Sequence, residues 1–391
     1  MQKDSLLSIL KHNERPTRER DLIFYIRYSF GDMPKEELVA ARETTVGLLH
    51  SFHVPDSEGL TYFIDAICKL RQNNYPATQN LLIKAIEKAY QNDDHYLLYA
   101  CFTHMGFIQT DKGNIIAAVS SFREAKKEAD IVNDAYLQVV IDINLSDIYY
   151  RNRMFGQALF YLNQAQSFMN FNHLQNKREE IGILYNKADV FFRSQDADSL
   201  KKYNKLLNQV TEGSPGLYTF QKRTDYYLQL LQQKYLDAIK AITSLKKDTL
   251  YQFKVTDEHC LADAYFHAGM LDSAKAIVQN LIRDTSEQNH AELNLYFYKL
   301  LGDIENREHN YKAAADDFNI ALSQALEQQR RLVNVGSVSS QIRIDQVQNS
   351  YALRTETYKR ERLWLFFIIS VITFFIIIGA MLYYNAHRNK Y

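Results

Sequence analysis

His259 stands beside Cys260, two aspartates bracket an alanine in Asp196-Ala197-Asp198-Ser199, and Arg15, Arg18 and Arg20 gather near the start of the chain. Each group has side chains that could ligate a metal, hold calcium or contact nucleic acid. Adjacent residues on a helix point to different faces, so His259 and Cys260 make a poor pair of metal ligands. The acidic quartet lacks the spaced glycine and glutamate of a calcium loop and reads as a solvated turn. The three arginines have no interleaved aromatic residues and read as a solvated helix start. Cys68, Cys101 and Cys260 are far apart, odd in number and form no CxxC pair. They read as small buried hydrophobes, not as a disulfide framework or zinc ligands. Asn144-Leu145-Ser146 matches a glycosylation acceptor, but it falls on a helix face read as core.

No GxxxxGK[ST] phosphate loop, strand-borne GxGxxG, HExxH or GxSxG is present,. The chain therefore reads as a non-enzyme, with no catalytic, cofactor-binding or metal residue assigned. What the sequence does offer is binding surface. Tyr150-Arg151-Asn152-Arg153 and the set Tyr296, Tyr298 and Lys299 combine aromatic and cationic side chains that suit the anchoring of a peptide,.

Those residues must be positioned by helices. Over 391 residues there are 5 Pro and 13 Gly, too few breakers for a β-sandwich, and 46% of residues are apolar,. Lys+Arg and Asp+Glu balance at 46 each, so no net field favours nucleic acid and no direct nucleic-acid binding is expected,.

A repeat organises the helices. From Gly106, the residues Gly113, Ala118, Phe122 and Ala125 fall at +7, +12, +16 and +19; from Gly302, the residues Ala314, Phe318 and Ala321 fall at +12, +16 and +19. The same frame places further anchors at Ala66, Ser146, Ala188, Tyr226 and Ala262, at intervals of 40, 40, 42, 38, 36 and 40 residues along the whole series. A small anchor lets a partner helix approach, and large residues at helical spacing form one face that a single pair cannot bury alone. About seven stacked helix pairs are predicted.

The small anchor, the turn glycine and the Ala–Phe–Ala of the second helix resemble the tetratricopeptide repeat family over roughly residues 60 to 325. The period departs from that family's 34 residues, and its terminal Pro is mostly missing. The expected fold is all-α: a tetratricopeptide-like α-solenoid of helix hairpins, a long juxtamembrane helix and a single C-terminal transmembrane helix. The expected division is an N-terminal helical cap or degenerate repeat (1–57), the repeats (58–325), a juxtamembrane stalk (326–362), a transmembrane helix (363–384) and a short basic tail (385–391). Within the cap, two amphipathic helices flank the Gly31–Pro34 turn.

The transmembrane expectation rests on an uncharged run of twenty residues from Leu363 to Leu382, with Trp364 and Tyr383-Tyr384 at its ends. At about 1.5 Å per residue it would reach roughly 30 Å across a lipid bilayer. Apolar points at Ile344, Val347, Tyr351 and Tyr358 suggest a narrow seam, with a homodimer as one outcome,. Leu6 to Leu10 is too short for the core of a cleaved signal,.

Topology is contested. Arg343, Arg354, Lys359, Arg360 and Arg362 precede the apolar run, against Arg388 and Lys390 after it, which places the repeats in the cytoplasm as a tail-anchored protein,. The order of segments also resembles membrane-anchored bacterial tetratricopeptide sensor regulators, and that resemblance implies repeats in the periplasm of a single-pass inner-membrane protein. The periplasmic placement is taken as the expectation. The functional expectation is a membrane-anchored module binding a protein or peptide in the solenoid groove, as the sensor part of a signalling protein. The alternative is a tail-anchored cytoplasmic scaffold or assembly factor without signalling output.

Overall fold

The computed structural model describes residues 2–12, 14–211, 218–249, 251, 253–285, 291–327, 329–330, 364 and 366–368. The chain divides into two compact units, Met1–Arg331 and Leu332–Tyr391. Among the described residues every regular element is a helix.

Three helices precede the repeats: α1 (Gln2–Leu10), α2 (Arg15–Asp32) and α3 (Leu38–Ser51). The first was not predicted; it holds on through Leu6 and Leu10, both buried. Helix α2 buries Leu22, Ile23, Ile26 and Phe30 against the first helices of the next two hairpins, and α3 packs on the first of them.

The hairpins follow in order. They are α4 (Ser57–Arg71) with α5 (Tyr75–Asn92), α6 (His95–Asp111) with α7 (Ile115–Ile131), and α8 (Ala135–Arg151) with α9 (Phe155–Phe171). Next come α10 (Lys177–Arg193) with α11 (Ala197–Thr211), α12 (Tyr218–Leu231) with α13 (Tyr235–Lys246), and α14 (Val255–His267) with α15 (Leu271–Thr285). Last is α16 (Ala291–Arg307), followed by a helix over 311–327. Each second helix also packs on the first helix of the following hairpin, which makes the stack continuous,.

All seven anchors lie in first helices, and the residues twelve positions later (Thr78, Ala118, Ala158, Leu200, Ala238, Ala274 and Ala314) are all buried in second helices. The anchor glycines have a specific use. A Cβ on Gly106 would meet Phe122 Cε2 at 2.7 Å, and one on Gly302 would meet Phe318 Cδ1 at 2.8 Å. The +16 aromatic thus lies directly on the anchor of its own hairpin. The fifth anchor departs from the small-residue rule: Tyr226 is buried and its hydroxyl donates to Asp257 at 2.5 Å.

Each hairpin turn uses one left-handed residue at anchor +7. Gly113 and Gly269 supply it cheaply, at φ 69° and 80°,. Asn73, Arg153, Gln195, Gln233 and His309 adopt the same conformation at φ 58–64°. The next backbone N–H then returns to the carbonyl five residues earlier, as in Asn114 N to Gln109 O at 2.8 Å and Met154 N to Tyr149 O at 2.9 Å. This satisfies helix-end carbonyls in the manner of a Schellman turn. Asn74, Asn114 and Asp196 then cap the second helices through their side chains,.

One expectation is overturned. Among the described residues no helix is long and apolar enough to cross a membrane. The two described helices of 18 residues, α2 and α5, are amphipathic and carry charges along their length: Arg18, Arg20, Asp21 and Arg27 in the one, Lys84, Glu87 and Lys88 in the other. The inner-membrane localisation with periplasmic repeats, and the lipid partner through 363–384, are therefore withdrawn. The predicted span lies outside the described residues except for Trp364 and Phe366 to Ile368, which are helical and exposed. The stalk and its dimer seam also lie outside them, apart from 326–327 and 329–330.

Candidate ligand-binding groove

The first helices of successive hairpins line a groove. One cavity in it, about 520 Å³, is bounded by α8, α10, α12 and the starts of α14 and α16. Residues that face it recur at anchor −3, +1 and +5, one stripe of a helix. In α10 these are Tyr185, Asp189 and Arg193; in α12, Arg223 and Tyr227; in α8, Asp147 and Arg151. A second cavity of about 580 Å³ continues toward α16 and repeats the stripe with His259, Asp263 and His267, then Lys299 and Asp303. Both are within the size range of natural ligand pockets.

Three residues belong to both cavities: Arg153, Arg193 and Tyr296. The Tyr296 ring receives the Arg153 guanidinium at 5.6 Å and that of Arg193 at 6.0 Å from its centroid. Such separations give a cation–π attraction, so the last hairpin touches the turn of a hairpin four repeats earlier. Arg193 Nε also donates to the Tyr150 hydroxyl at 3.3 Å.

The floor is a buried ion pair. Arg223 holds Asp257 with two bonds of 2.8 and 2.9 Å, and Tyr251 and Tyr226 contact the same carboxylate at 3.2 and 2.5 Å. Arg223 is 2% exposed and Asp257 is fully buried. The pair ties α12 to the first turn of α14 and fixes one groove wall.

Burial tunes several groove side chains. It pushes the Tyr185 and Tyr227 phenols up, so both stay neutral donors. It pushes the Asp263 carboxyl up and lowers Lys254, an effect to which the Arg223 charge adds. His259, beside Tyr296 and Phe297 at 5.9 and 5.6 Å, is lowered to about 3 by burial and is a neutral ring.

The residues singled out in the sequence divide clearly. Tyr150 and Arg151 face the first cavity, Lys299 the second, and Arg153 and Tyr296 both. Asn152 is buried and bonds to the Ile148 carbonyl instead, and Tyr298 lines neither cavity. The N-terminal arginines are occupied elsewhere: Arg15 with Glu19, Arg18 with the His12 carbonyl and Arg20 with Asp134. Asp196 serves as a helix cap. Cys260 is buried, with its thiol pushed up to about 12, Cys101 is fully buried, and Cys68 is partly exposed. Asn144 is a half-buried residue inside α8. Among the described residues no three His, Cys, Asp or Glu side chains are grouped to hold a metal ion. Sequence reasoning missed Tyr185, Asp189, Arg193, Arg223 and Lys254; the anchor register that exposed the repeats would have marked the first four.

No family model matches the chain, and no curated protein matches it. Solved structures do. The apo form of the quorum sensor NprR from B. thuringiensis superposes with a TM-score of 0.54 at 14% identity, covering 83% of this chain and 97% of that one. A Rap protein complexed with competence and sporulation factor gives 0.50 at 14% identity, covering 84% and 98%. A tetratricopeptide repeat protein from Parabacteroides merdae ATCC 43184 gives 0.48 at 17% identity, covering 72% and 98%. At these identities the likeness is one of fold, and the fold of residues 57–327 is a tetratricopeptide-like solenoid of helix hairpins.

Proposed function

We propose that this protein is an interaction module that binds a peptide or an extended protein segment along the groove of α8, α10, α12, α14 and α16. The observation that carries the reading is the pair of adjoining cavities, which share Arg153, Arg193 and Tyr296, the first lined also by Tyr150, Tyr185 and Tyr227 among fixed charges. Rigid aromatic faces supply contact area at low entropic cost, and arginines set register. A structural neighbour complexed with competence and sporulation factor, and another that is a quorum sensor, support the same use of the fold. The seven hairpins over 58–325 are the scaffold of this activity, with residues 1–57 as its cap. The role is recognition, with no catalysis assigned to the chain.

Two regulatory contexts fit the groove. In a sensor, ligand entry disturbs the Arg153–Tyr296 contact and so alters how distant hairpins meet. In a scaffold without signalling output, the groove is a fixed docking surface, and the buried Arg223–Asp257 floor favours that rigidity.

The test is selection of a random dodecapeptide display library on the whole chain, followed by hydrogen-exchange mapping of the best synthetic peptide. Protection is expected in α8, α10, α12 and α14. Protection confined to the second helices α9, α11 and α13, or no enrichment over an unrelated immobilised protein, would reject the groove as the binding surface.

A further inference from the structure

The charges around the first cavity do not cancel. Arg151 is paired with Asp147 at 2.8 Å. Arg223 is neutralised by Asp257. Arg193 bonds to Tyr150 and lies in the field of Asp189. Arg153 and Lys254 remain. Among the described residues neither side chain has an ion pair; the Arg153 guanidinium has only the face of Tyr296. A groove with two excess cations and aromatic walls concentrates anions.

The backbone adds a second observation. Arg153 sits at the left-handed turn position that Gly113 and Gly269 fill in other hairpins. Carrying a long side chain there costs about 1 kcal/mol or more against glycine, and no internal ion pair offsets that cost. A third observation concerns the acceptor side. Asp189 Oδ1 is buried in this cavity without a hydrogen-bond partner, so a ligand N–H would find an acceptor beside the cations.

Resting on the groove reading above, we infer that the first cavity takes an acidic peptide segment. One carboxylate is received by Arg153 against Tyr296, a second by Lys254 at the start of α14, and a backbone N–H is accepted by Asp189. Asp or Glu side chains and a free C-terminus both offer such carboxylates, and the experiment separates the two sources.

Peptides selected from the random library are resynthesised in three forms: unchanged, with each Asp and Glu replaced by Asn and Gln, and with an amidated C-terminus. Their affinities are measured by fluorescence anisotropy at low and high salt on the native chain, on Arg153→Gly and on Lys254→Gln. Arg153→Gly relieves the strained turn but also removes the Tyr296 contact; Lys254→Gln leaves that contact in place, so a loss of discrimination in Lys254→Gln is a loss of recognition and not a shift of the hairpins. Acid-rich selected sequences are expected, with about tenfold weaker binding for the form lacking its carboxylates, the scale of one charge-assisted hydrogen bond. Loss on side-chain replacement identifies side-chain carboxylates, and loss on amidation identifies the terminus. Each variant should reduce that discrimination and flatten the salt dependence. Selected peptides without acids, equal binding of acid and amide forms, or unchanged discrimination in both variants would overturn the inference while leaving groove binding in place. Failure of any sequence to enrich would remove both.

Discussion

Replacing Gly106 by alanine tests how the hairpins are held together. The new Cβ would lie 2.7, 2.8 and 2.9 Å from three carbons of the Phe122 ring, where carbon contacts settle near 3.5–4.0 Å. The ring must retreat by roughly 1 Å or α6 and α7 must part. Phe122 is 1% exposed and meets the Phe107 ring edge-on at 5.3 Å, so it has little room. Overpacking of this kind costs about 1–3 kcal/mol, while alanine gains about 1 kcal/mol over glycine in a helix. The net expectation is a loss of up to about 2 kcal/mol, centred near 1.

Two other glycines give the comparison its force. A Cβ on Gly182 in α10 meets nothing within 4 Å, so Gly182→Ala should gain about 0.5–1 kcal/mol. At Gly302 the geometric clash is the same as at Gly106, but Phe318 is 37% exposed and its ring can swing outward. Gly302→Ala should therefore fall close to Gly182→Ala. Because stacked repeats can unfold piecewise, urea unfolding followed by circular dichroism should be paired with native-state hydrogen exchange of α6 and α7. Phe122→Leu should relieve Gly106→Ala, with a coupling of about 1 kcal/mol or more in the double-mutant cycle. If Gly106→Ala is as stable as Gly182→Ala, or the cycle shows no coupling, the anchor does not work by close contact with the +16 ring.

Three further outcomes are expected. Asp257→Ala strands the buried Arg223 guanidinium and should cost about 3–5 kcal/mol by chemical denaturation; a loss below 1 kcal/mol would mean that the groove floor is not held by this pair. Burial pushes the carboxyls of Asp94 and Asp56 up to about 7 and about 6, with the Glu19 charge adding to both, while Arg15 opposes at Asp94 and Asn92 and the Gly59 N–H oppose at Asp56. Between their ordinary range and those values the folded chain holds protons that the unfolded chain releases, so this contribution favours folding near pH 4–5 and is lost as pH rises through 6 to 7. Asp94→Asn keeps a cap acceptor for the Leu97 N–H and should flatten the pH dependence of exchange in α6; an unchanged slope would exclude Asp94 as its source. Gln233 occupies the left-handed turn position at φ 59°, so Gln233→Gly should raise stability by about 0.5–1 kcal/mol in the same denaturation assay, and a decrease would show that the side chain contributes more than the strain removes.

The helix-pair fold was legible because its cause is local. Gly106 and Phe122, or Gly302 and Phe318, are sixteen residues apart on two helices joined by a three-residue turn, and their sizes must match within one hairpin. The turn register was only half visible. Glycine marks it at Gly113 and Gly269, but Asn73, Arg153, Gln195, Gln233 and His309 accept the same φ because the returning N–H bond forces it. Helix α1 escaped notice because its two buried leucines, Leu6 and Leu10, give too little pattern on their own. An apolar run such as 363–384 has the composition of a membrane span, yet hydropathy cannot by itself establish that it forms one helix.

The groove was harder to read for a different reason. Asp189 and Arg193, or Asp263 and His267, are spaced i and i+4 and look like the ion pairs of any solvated helix face. What turns such a face into a groove wall is the opposite side of the hairpin, because the second helix covers the anchor and leaves −3, +1 and +5 facing the neighbouring first helices. Arg153 drew notice for its aromatic neighbours, but its environment comes from Tyr296, at the far end of the repeats. That meeting depends on the rotation from each hairpin to the next, accumulated over four of them. The repeat spacing, which varies from 36 to 42 residues, encodes no such angle. Local packing thus specifies the hairpin almost completely, whereas the charge balance of the groove emerges only when the hairpins are stacked.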